Sequence, residues 1–307
     1  MSASPSGNPS RRSLFDIETV AVPLFLLLLW GQLFWCLHPT WIHGQYYDYG
    51  WIVPPVFFWF FWRRWQSETG HLARPSRPAT LSLALVGLGL LLLLSLSFLR
   101  ILERFDPIWR VPQILHGGTV FLTTLTVLAL VTGVRSSLAY LPVVLFGLTA
   151  VPWPAQIENL LIGELTERLL GVAAPLARLV GIPAGLSGSA LLAEGRLIQI
   201  DEGCSGIRSF QSLIMAGFFF GEFLLLRPVL RVILLVFAIL VGFATNTLRA
   251  VTLAWIFFHE GDAAFDRAHD LVGFAAFGLA ALLLLGLGSL LDALPLRSTR
   301  QAAPSAA

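Results

Sequence analysis

Charged residues are scarce in this sequence, at 12% of 307 residues, about half of the roughly 25% that an ordinary soluble domain carries. A chain of this length with so little charge cannot cover a water-facing surface in the usual way, so most of its surface is expected to face hydrocarbon. Lysine is absent, and all 20 basic residues are arginine, which we attribute to genomic base composition. The net charge of +2 is too small to suggest nucleic acid as a partner.

Cysteine is also scarce, since the chain has only Cys36 and Cys204. Two cysteines are too few for a disulfide framework, and their sequence surroundings differ too much to suggest a natural pair. Cys36 lies within the end of an apolar run, where we expect a structural role. Cys204 is different, because its neighbours are small and polar rather than packing residues.

Long apolar runs dominate the rest of the chain. A helix needs about 20 predominantly apolar residues to cross a bilayer, and by that measure eight segments are candidates, of which the second and fifth are short or interrupted by proline. The segments are 18–37, 49–62, 81–99, 118–134, 138–153, 206–226, 229–258 and 271–291.

The sequence therefore predicts an all-α polytopic membrane protein with about eight transmembrane helices. We divide it into a polar tail at 1–17, a transmembrane domain at 18–292 and a second tail at 293–307. The first apolar run follows Arg11 and Arg12, but no small-residue cleavage site comes after it, so we expect an uncleaved membrane helix rather than a signal peptide.

Arginine distribution predicts the orientation in the membrane. Both tails, the loop after the second helix and the turns after the fourth and sixth helices carry arginine, and all five lie on one side under an eight-helix count. Because short cytoplasmic loops retain positive charge, we expect an inner (cytoplasmic) membrane protein with both tails cytoplasmic. The 100–112 loop is an exception, although Glu103 and Asp106 accompany its arginines.

The longest segment outside the membrane, at about 154–203, is then expected on the outer face. Its part at 157–180 has apolar residues at helical spacing with charged residues between them, which predicts an amphipathic helix lying in the interface between the fifth and sixth membrane helices. Apolar and polar residues partly alternate over 191–200, where a short hairpin is predicted.

Polar residues at a membrane are functional candidates, and the first group surrounds Cys204. Asp201 stands where the N-cap of the sixth helix is expected, which would put Cys204 within the first helical turn. The positive end of the helix dipole and free backbone N–H groups there favour a thiolate. Gly203 and Gly206 leave room for a substrate backbone to approach.

The second group is Asn246 and Arg249 in the seventh helix, whose spacing of three residues puts them on one face. Arg249 precedes the predicted outer end of its helix by about 14 Å at the helical rise, which is too deep for simple snorkelling. A guanidinium that cannot lose its proton suits the binding of a developing oxyanion or a substrate carboxylate.

The third group is at the outer start of the eighth helix, where His269 is a candidate general acid or base near neutral pH. Asp266 or Asp270 could orient its ring. Zinc binding by Cys204, His259 and His269 is an alternative, but the spacing matches no compact zinc motif. We therefore expect no metal and no cofactor.

These residues resemble the exosortase/archaeosortase family of membrane sorting enzymes over about residues 40 to 290, most closely at 195–275. A weaker match nearer the N-terminus has Tyr49-Gly50 where many members carry His-Gly, so we assign Tyr49 no role. The matching motifs are Glu202-x-Cys204-Ser205-Gly206-Ile207-Arg208-Ser209, Asn246-x-x-Arg249, His269-Asp270-x-x-Gly273 and Tyr47-x-Tyr49-Gly50-x-x-Val53-Pro54-Pro55 followed by Arg63-Arg64.

The resemblance implies a membrane cysteine transpeptidase that acts on secreted proteins. Its substrates would carry a C-terminal signal of three parts: a short motif such as Pro-Glu-Pro (a PEP-CTERM-like signal), a transmembrane helix and an Arg-rich tail. Cys204 would form a thioester, His269 would transfer the proton and Arg249 would stabilise the oxyanion, on the periplasmic or exterior face. The protein would then pass to an unidentified surface acceptor, and many bacterial members accompany exopolysaccharide production. We expect supporting roles for Glu202, Ser205, Gly206, Arg208, Asn246 and Asp270.

Two other functions are compatible with parts of the sequence. A purely hydrolytic intramembrane cysteine protease needs the same acyl-enzyme and differs only in whether water or an amine resolves it. A transporter could use Arg249 and Glu202 along a substrate path. Transporters often show inverted repeats and broken helices at mid-membrane, whereas here no repeat is visible and the polar residues cluster at one face.

Overall fold

The computed structural model describes residues 9–44, 46–69, 79–187, 190–193, 196–199 and 206–294. The chain divides into two compact units, residues 1–159 and residues 160–307.

The first unit is helical. Four helices form most of it, and two shorter helices and two 3₁₀ turns connect or extend them. The helices are α1 (Pro9–His43), α2 (Val53–Thr69), α3 (Ala79–Phe105), α4 (Arg110–Thr132), α5 (Val134–Ser137) and α6 (Leu141–Leu148), and the 3₁₀ turns are Asp48–Ile52 and Leu138–Tyr140.

An aromatic core fixes α1 in this unit, where it packs against α2 and α4. Trp30 is fully buried, and its ring lies 4.3 Å from that of Phe57 and 5.6 Å from that of Phe34, measured between centroids. Its indole N–H donates to Thr124 Oγ1 on α4 at 2.9 Å. A buried indole needs such a partner, so the hydrogen bond sets the position of α1 against α4.

The helix α3 has a different environment, since it packs against α4 and leaves most of its leucine-rich surface exposed. Such a surface is unsuited to water but suits contact with lipid. Near the end of the helix, however, Leu96, Leu99 and Glu103 are buried.

The second unit contains helices and a small sheet. It takes most of α7, which begins in the first unit. The elements are α7 (Ala155–Leu179), β1 (Ala184–Ser187), β2 (Ala190–Ala193), β3 (Arg196–Gln199), α8 (Ile207–Phe223), α9 (Pro228–Glu260) and α10 (Asp262–Ala293).

The three strands form an antiparallel sheet in the order β1-β2-β3, with Leu186 opposite Leu191 and Leu192 opposite Leu197. The sheet is joined to the helices through β1, because Ala184 belongs to a buried cluster with Leu169 of α7 and Ala254 of α9.

The helices α8, α9 and α10 pack against one another in pairs. Their core includes Leu213, Leu234 and Leu284, one from each helix. Only Gly261, with φ +83°, separates α9 from α10. So short a connection makes the two helices antiparallel neighbours, and it brings the early turns of α10 beside the last turns of α9.

The structure supports an all-α polytopic membrane fold, with the small sheet as an addition to the predicted class. Each of the eight apolar segments contains helix, but within the described residues five helical segments are long and apolar enough to span a membrane, so the number of spans stays a prediction. The five are Val20–His43, Ala79–Phe105, Arg110–Thr132, Pro228–Glu260 and Asp262–Ala293.

Three shorter elements correspond to the remaining segments: α2, α8 and the apolar stretch Val134–Leu148. The amphipathic segment is helical, as α7, while its place at the membrane interface stays a prediction. The hairpin predicted at 191–200 is present as β2 and β3, and β1 adds a third strand.

Two predicted boundaries are wrong. The loop predicted at 100–112 is only 106–109, because α3 continues to Phe105 and α4 begins at Arg110. The last helix begins at Asp262 rather than at residue 271. In both places the helix extends into polar residues. The predicted boundaries were based on apolar content, which identifies only the part of a helix that is suited to contact with lipid.

Candidate functional site

The centre of the candidate site in the second unit is a hydrogen bond between Arg249 of α9 and His269 of α10. The distance from Arg249 Nη2 to His269 Nε2 is 3.0 Å. A guanidinium only donates, so Nε2 must accept, and His269 is therefore the neutral tautomer with its proton on Nδ1.

The second ring nitrogen of His269 also has a partner. Its Nδ1 lies 3.1 Å from Oδ1 of Asp270, so the N–H donates to that carboxylate. The Asp270 side chain is 87% exposed, against 32% for His269, and solvent weakens the attraction of such an exposed charge. The ring of Phe265, one turn earlier, lies 5.9 Å away between centroids. His269 is thus oriented at both nitrogens and along one side of its ring.

The guanidinium of Arg249 lies close to the backbone of α10 at Gly273. A Cβ added to Gly273 would be 3.5 Å from Arg249 Nε and 3.6 Å from Cζ, so the absence of a side chain there leaves space beside the guanidinium. Arg249 Nε is buried and has no hydrogen-bond partner among the described residues. An unsatisfied buried donor is costly, so this N–H marks a position that favours an acceptor.

A second contact joins the start of α8 to α9. Gly206, the N-cap residue of α8, has φ +85°, a left-handed conformation. A Cβ at this glycine would lie 2.3 Å from Asn246 Nδ2 and 2.6 Å from Asn246 Cγ. Only glycine allows both the conformation and the close approach. Asn246 is buried and precedes Arg249 by one turn, about 4.5 Å along the helix axis.

The chain on the other side of Gly206 is not described, and Cys204, Glu202 and Ser205 lie outside the described residues. Arg208 is in the first turn of α8 and is exposed. The predicted helix start is wrong, because α8 begins at Ile207 with Gly206 as its N-cap residue. Cys204 therefore precedes the helix rather than lying in its first turn. The left-handed conformation of Gly206 is the physical reason why α8 begins at Ile207, and Asp201, the predicted N-cap residue, lies outside the described residues.

The structure brings together Arg249, His269 and Asp270 at one place, and Asn246 with Gly206 one turn away along α9. The contact of Gly273 with Arg249 was not predicted, although Gly273 stands in the matched motif. Its spacing of four residues from His269 was the available signal, because residues four apart lie on the same face of a helix.

A polar network in the first unit also went unpredicted. Tyr47 donates its hydroxyl hydrogen to Glu158 and accepts from the backbone N–H of Trp153 at 2.9 Å. Arg110 Nη1 lies 2.7 Å from Glu158 Oε1. Burial, followed by the hydrogen bond to Glu158, raises the pKa of the Tyr47 hydroxyl above its usual value, so the phenol stays a donor. The network connects the turn after α1 with the starts of α4 and α7.

Comparison with known proteins identifies the family to which the chain belongs. No curated protein and no solved structure matches the chain. The profile of the transmembrane exosortases (Exosortase_EpsH), a family of cysteine-type transpeptidases, matches residues 41–286. This range covers most of the chain and includes both contacts of the candidate site. The chain therefore belongs to the transmembrane exosortase family.

Proposed function

We propose that this chain is a membrane sorting transpeptidase in which Cys204 is the nucleophile, His269 the proton carrier and Arg249 the group that stabilises the oxyanion. The observation that carries the proposal is the hydrogen bond from Arg249 to His269. It joins a permanent cation on α9 to a neutral imidazole on α10, and these two groups supply the charge stabilisation and the proton transfer that acyl transfer to a thiol requires.

Covalent geometry supports the assignment of Cys204. Two peptide units join it to Gly206, and consecutive Cα atoms are 3.8 Å apart, so the two Cα atoms are separated by at most about 7.6 Å. Gly206 in turn contacts Asn246, one turn from Arg249. A thiol attached this close to Asn246 is within reach of the same part of α9.

The proposed reaction begins when the Cys204 thiol gives its proton to Nε2 of His269 and the sulfur attacks the scissile carbonyl carbon. That lone pair of Nε2 holds the Arg249 N–H in the structure, so Arg249 must turn its N–H to the forming oxyanion as Nε2 takes the proton. The C–N bond then breaks, and the leaving amine receives the proton from His269. The product is a thioester on Cys204.

The second half of the reaction resolves the thioester. An acceptor amine, deprotonated by His269, attacks the carbonyl, and the thiolate leaves and regains a proton. Water in place of the amine would give simple hydrolysis by the same residues. The assignment of transfer rather than hydrolysis rests on membership of the family.

The proposed substrates are secreted proteins with the three-part C-terminal signal. A substrate helix that ends at the outer interface would present the preceding motif at the depth of a site near the start of α8. We assign the site to the outer face and both chain ends to the cytoplasm from the arginine distribution.

The experiment co-expresses a protein that carries such a signal with wild-type enzyme or with Cys204→Ala, His269→Gln or His259→Gln. His259 is the matched control, because it is an exposed histidine of α9 whose Nδ1 contacts the backbone carbonyl of Trp255. We expect processing with the wild type and with His259→Gln, and its loss with the other two variants. Mass spectrometry of the new C-terminus should show an adduct. Processing by Cys204→Ala at normal expression would refute the proposal. A free carboxylate at the new C-terminus would show that the enzyme is a protease rather than a transpeptidase.

A further inference from the structure

Three potential metal ligands lie together in the first unit, whereas the proposed catalytic residues belong to the second unit. Cys36 of α1, Glu103 of α3 and His116 of α4 each offer one ligand atom, and these atoms are all within 4.8 Å of one another. Each residue lies within about two turns of one end of its helix: Cys36 and Glu103 precede the last residues of α1 and α3, and His116 follows the first residue of α4.

The side chains of Glu103 and His116 are almost inaccessible, at 5% and 0% exposed, whereas Cys36 is half-buried. His116 Nδ1 lies 2.8 Å and 3.0 Å from the two carboxylate oxygens of Glu103. The other ring nitrogen, Nε2, is buried and has no hydrogen-bond partner among the described residues. A buried ionisable group near lipid is costly, so three of them in contact require an explanation beyond packing.

We propose that Cys36, Glu103 and His116 form a zinc(II) site that joins α1, α3 and α4. Thiolate, carboxylate and imidazole are the three kinds of ligand that zinc uses in proteins. A tetrahedral zinc with bonds of about 2.0–2.3 Å holds its ligand atoms roughly 3.3–3.8 Å apart. The cluster needs movements of only about half an ångström to one ångström to reach that geometry.

Charge supports a divalent cation. A thiolate and a carboxylate together carry two negative charges beside a neutral imidazole, and zinc(II) neutralises them, which a buried site requires. Binding displaces the proton of the Cys36 thiol into solution. Arg100 and Arg104 of α3 lie within electrostatic range of Cys36. Both arginines oppose the cation, and Arg104 is exposed, so solvent screens its charge.

The site would have three protein ligands, which leaves one position of the tetrahedron for water. Because the ligands come from three helices, the ion would link α1 to α3 and α4, which the short connection at 106–109 already joins in sequence. The proposal is independent of the proposed transpeptidase activity, since it involves neither Cys204 nor His269.

The experiment measures zinc bound to the purified full-length chain in detergent, after dialysis against zinc and then against a weak chelator. We expect one zinc ion per chain in the wild type, in Cys204→Ala and in His259→Gln, and almost none in Cys36→Ser or His116→Gln. Cobalt(II) in place of zinc should give a thiolate charge-transfer band in the near ultraviolet that disappears with Cys36→Ser. Zinc should also raise the melting temperature of the wild type and leave that of Cys36→Ser unchanged.

Two outcomes would overturn the proposal: a wild-type chain that retains no zinc, or zinc retained by the Cys36→Ser and His116→Gln variants. If zinc were lost only in the Cys204→Ala variant, the ion would be bound by Cys204 rather than Cys36, and this result would also overturn the proposal. If His116→Gln fails to fold, Cys36→Ser decides, because Cys36 is half-buried and serine is close to it in size. A metal-free wild type would identify the cluster as a hydrogen-bonded pair of Glu103 and His116 beside a thiol.

Discussion

Replacing Gly206 by alanine tests the junction between α8 and α9 most sharply. The residue has φ +85°, where an L-residue with a side chain is disfavoured by about 1–2 kcal/mol. The new Cβ would also lie 2.3 Å from Asn246 Nδ2, about 1 Å inside an ordinary contact. Because Asn246 is buried, its side chain must turn off its preferred rotamer, at about 0.5–1.5 kcal/mol. We therefore expect Gly206→Ala to destabilise the protein by about 2–3 kcal/mol.

Activity should fall more than this loss of stability alone explains. Asn246 and Arg249 are one turn apart, and displacement of reacting groups by about 1 Å can cost a factor of about 100 in rate. The assay compares detergent melting curves and processing of a co-expressed substrate for wild type, Gly206→Ala, Asn246→Ala and the double variant. In the double variant the clash is absent, so Gly206→Ala should cost about 1 kcal/mol less in the Asn246→Ala background than in the wild type.

Gly273→Ala is the matched control. The added Cβ would lie 3.5 Å from Arg249 Nε, an ordinary contact, and the position is within α10. Alanine is favoured over glycine inside a helix by about 0.5–1 kcal/mol, so this variant should be as stable as the wild type or slightly more stable. A Gly206→Ala protein that melts and processes substrate like the wild type would contradict the role of Gly206 in positioning Asn246.

Two further predictions concern the polar contacts in each unit. Arg249→Gln should lower processing by about 10²–10³-fold, which is the effect of losing one oxyanion donor. The control is Arg168→Gln, at an exposed ion pair on α7, which should process substrate normally in the same gel assay. Equal rates for the two variants would contradict the role of Arg249. Tyr47→Phe removes two hydrogen bonds, to Glu158 and from Trp153, and should destabilise the chain by about 1–3 kcal/mol in detergent melts. An unchanged melting curve would show that the Tyr47 hydroxyl does not stabilise the chain.

Apolar content predicted where helices lie but not where they end. The segment 271–291 is the apolar part of α10, whereas the helix begins at Asp262, after the break at Gly261. Polar residues in the first turns of a membrane helix look like a loop in composition, and His269 was therefore expected at the start of the helix rather than within it. The same effect placed Glu103 in a loop, although it is a buried residue of α3.

The candidate site was predicted in part, because motif spacing identifies residues but not contacts. Arg249 and His269 were expected on one side of the membrane, but their hydrogen bond depends on the one-residue connection at Gly261. The prediction for Asp201 failed because a good capping residue was weighed without the conformation of Gly206. Cys36 was expected to be structural, since nothing in its own segment shows that Glu103 and His116 lie beside it.

Cys204 is the residue proposed to carry the acyl group, and the direct test is to find that group on it. Enzyme and substrate are mixed in detergent, quenched in acid and digested, and the two cysteine-containing peptides are analysed by mass spectrometry. We expect a hydroxylamine-sensitive adduct of the substrate C-terminus on the peptide that contains Cys204, and its absence in Cys204→Ala. An adduct on Cys36, or full processing by Cys204→Ala, would contradict it.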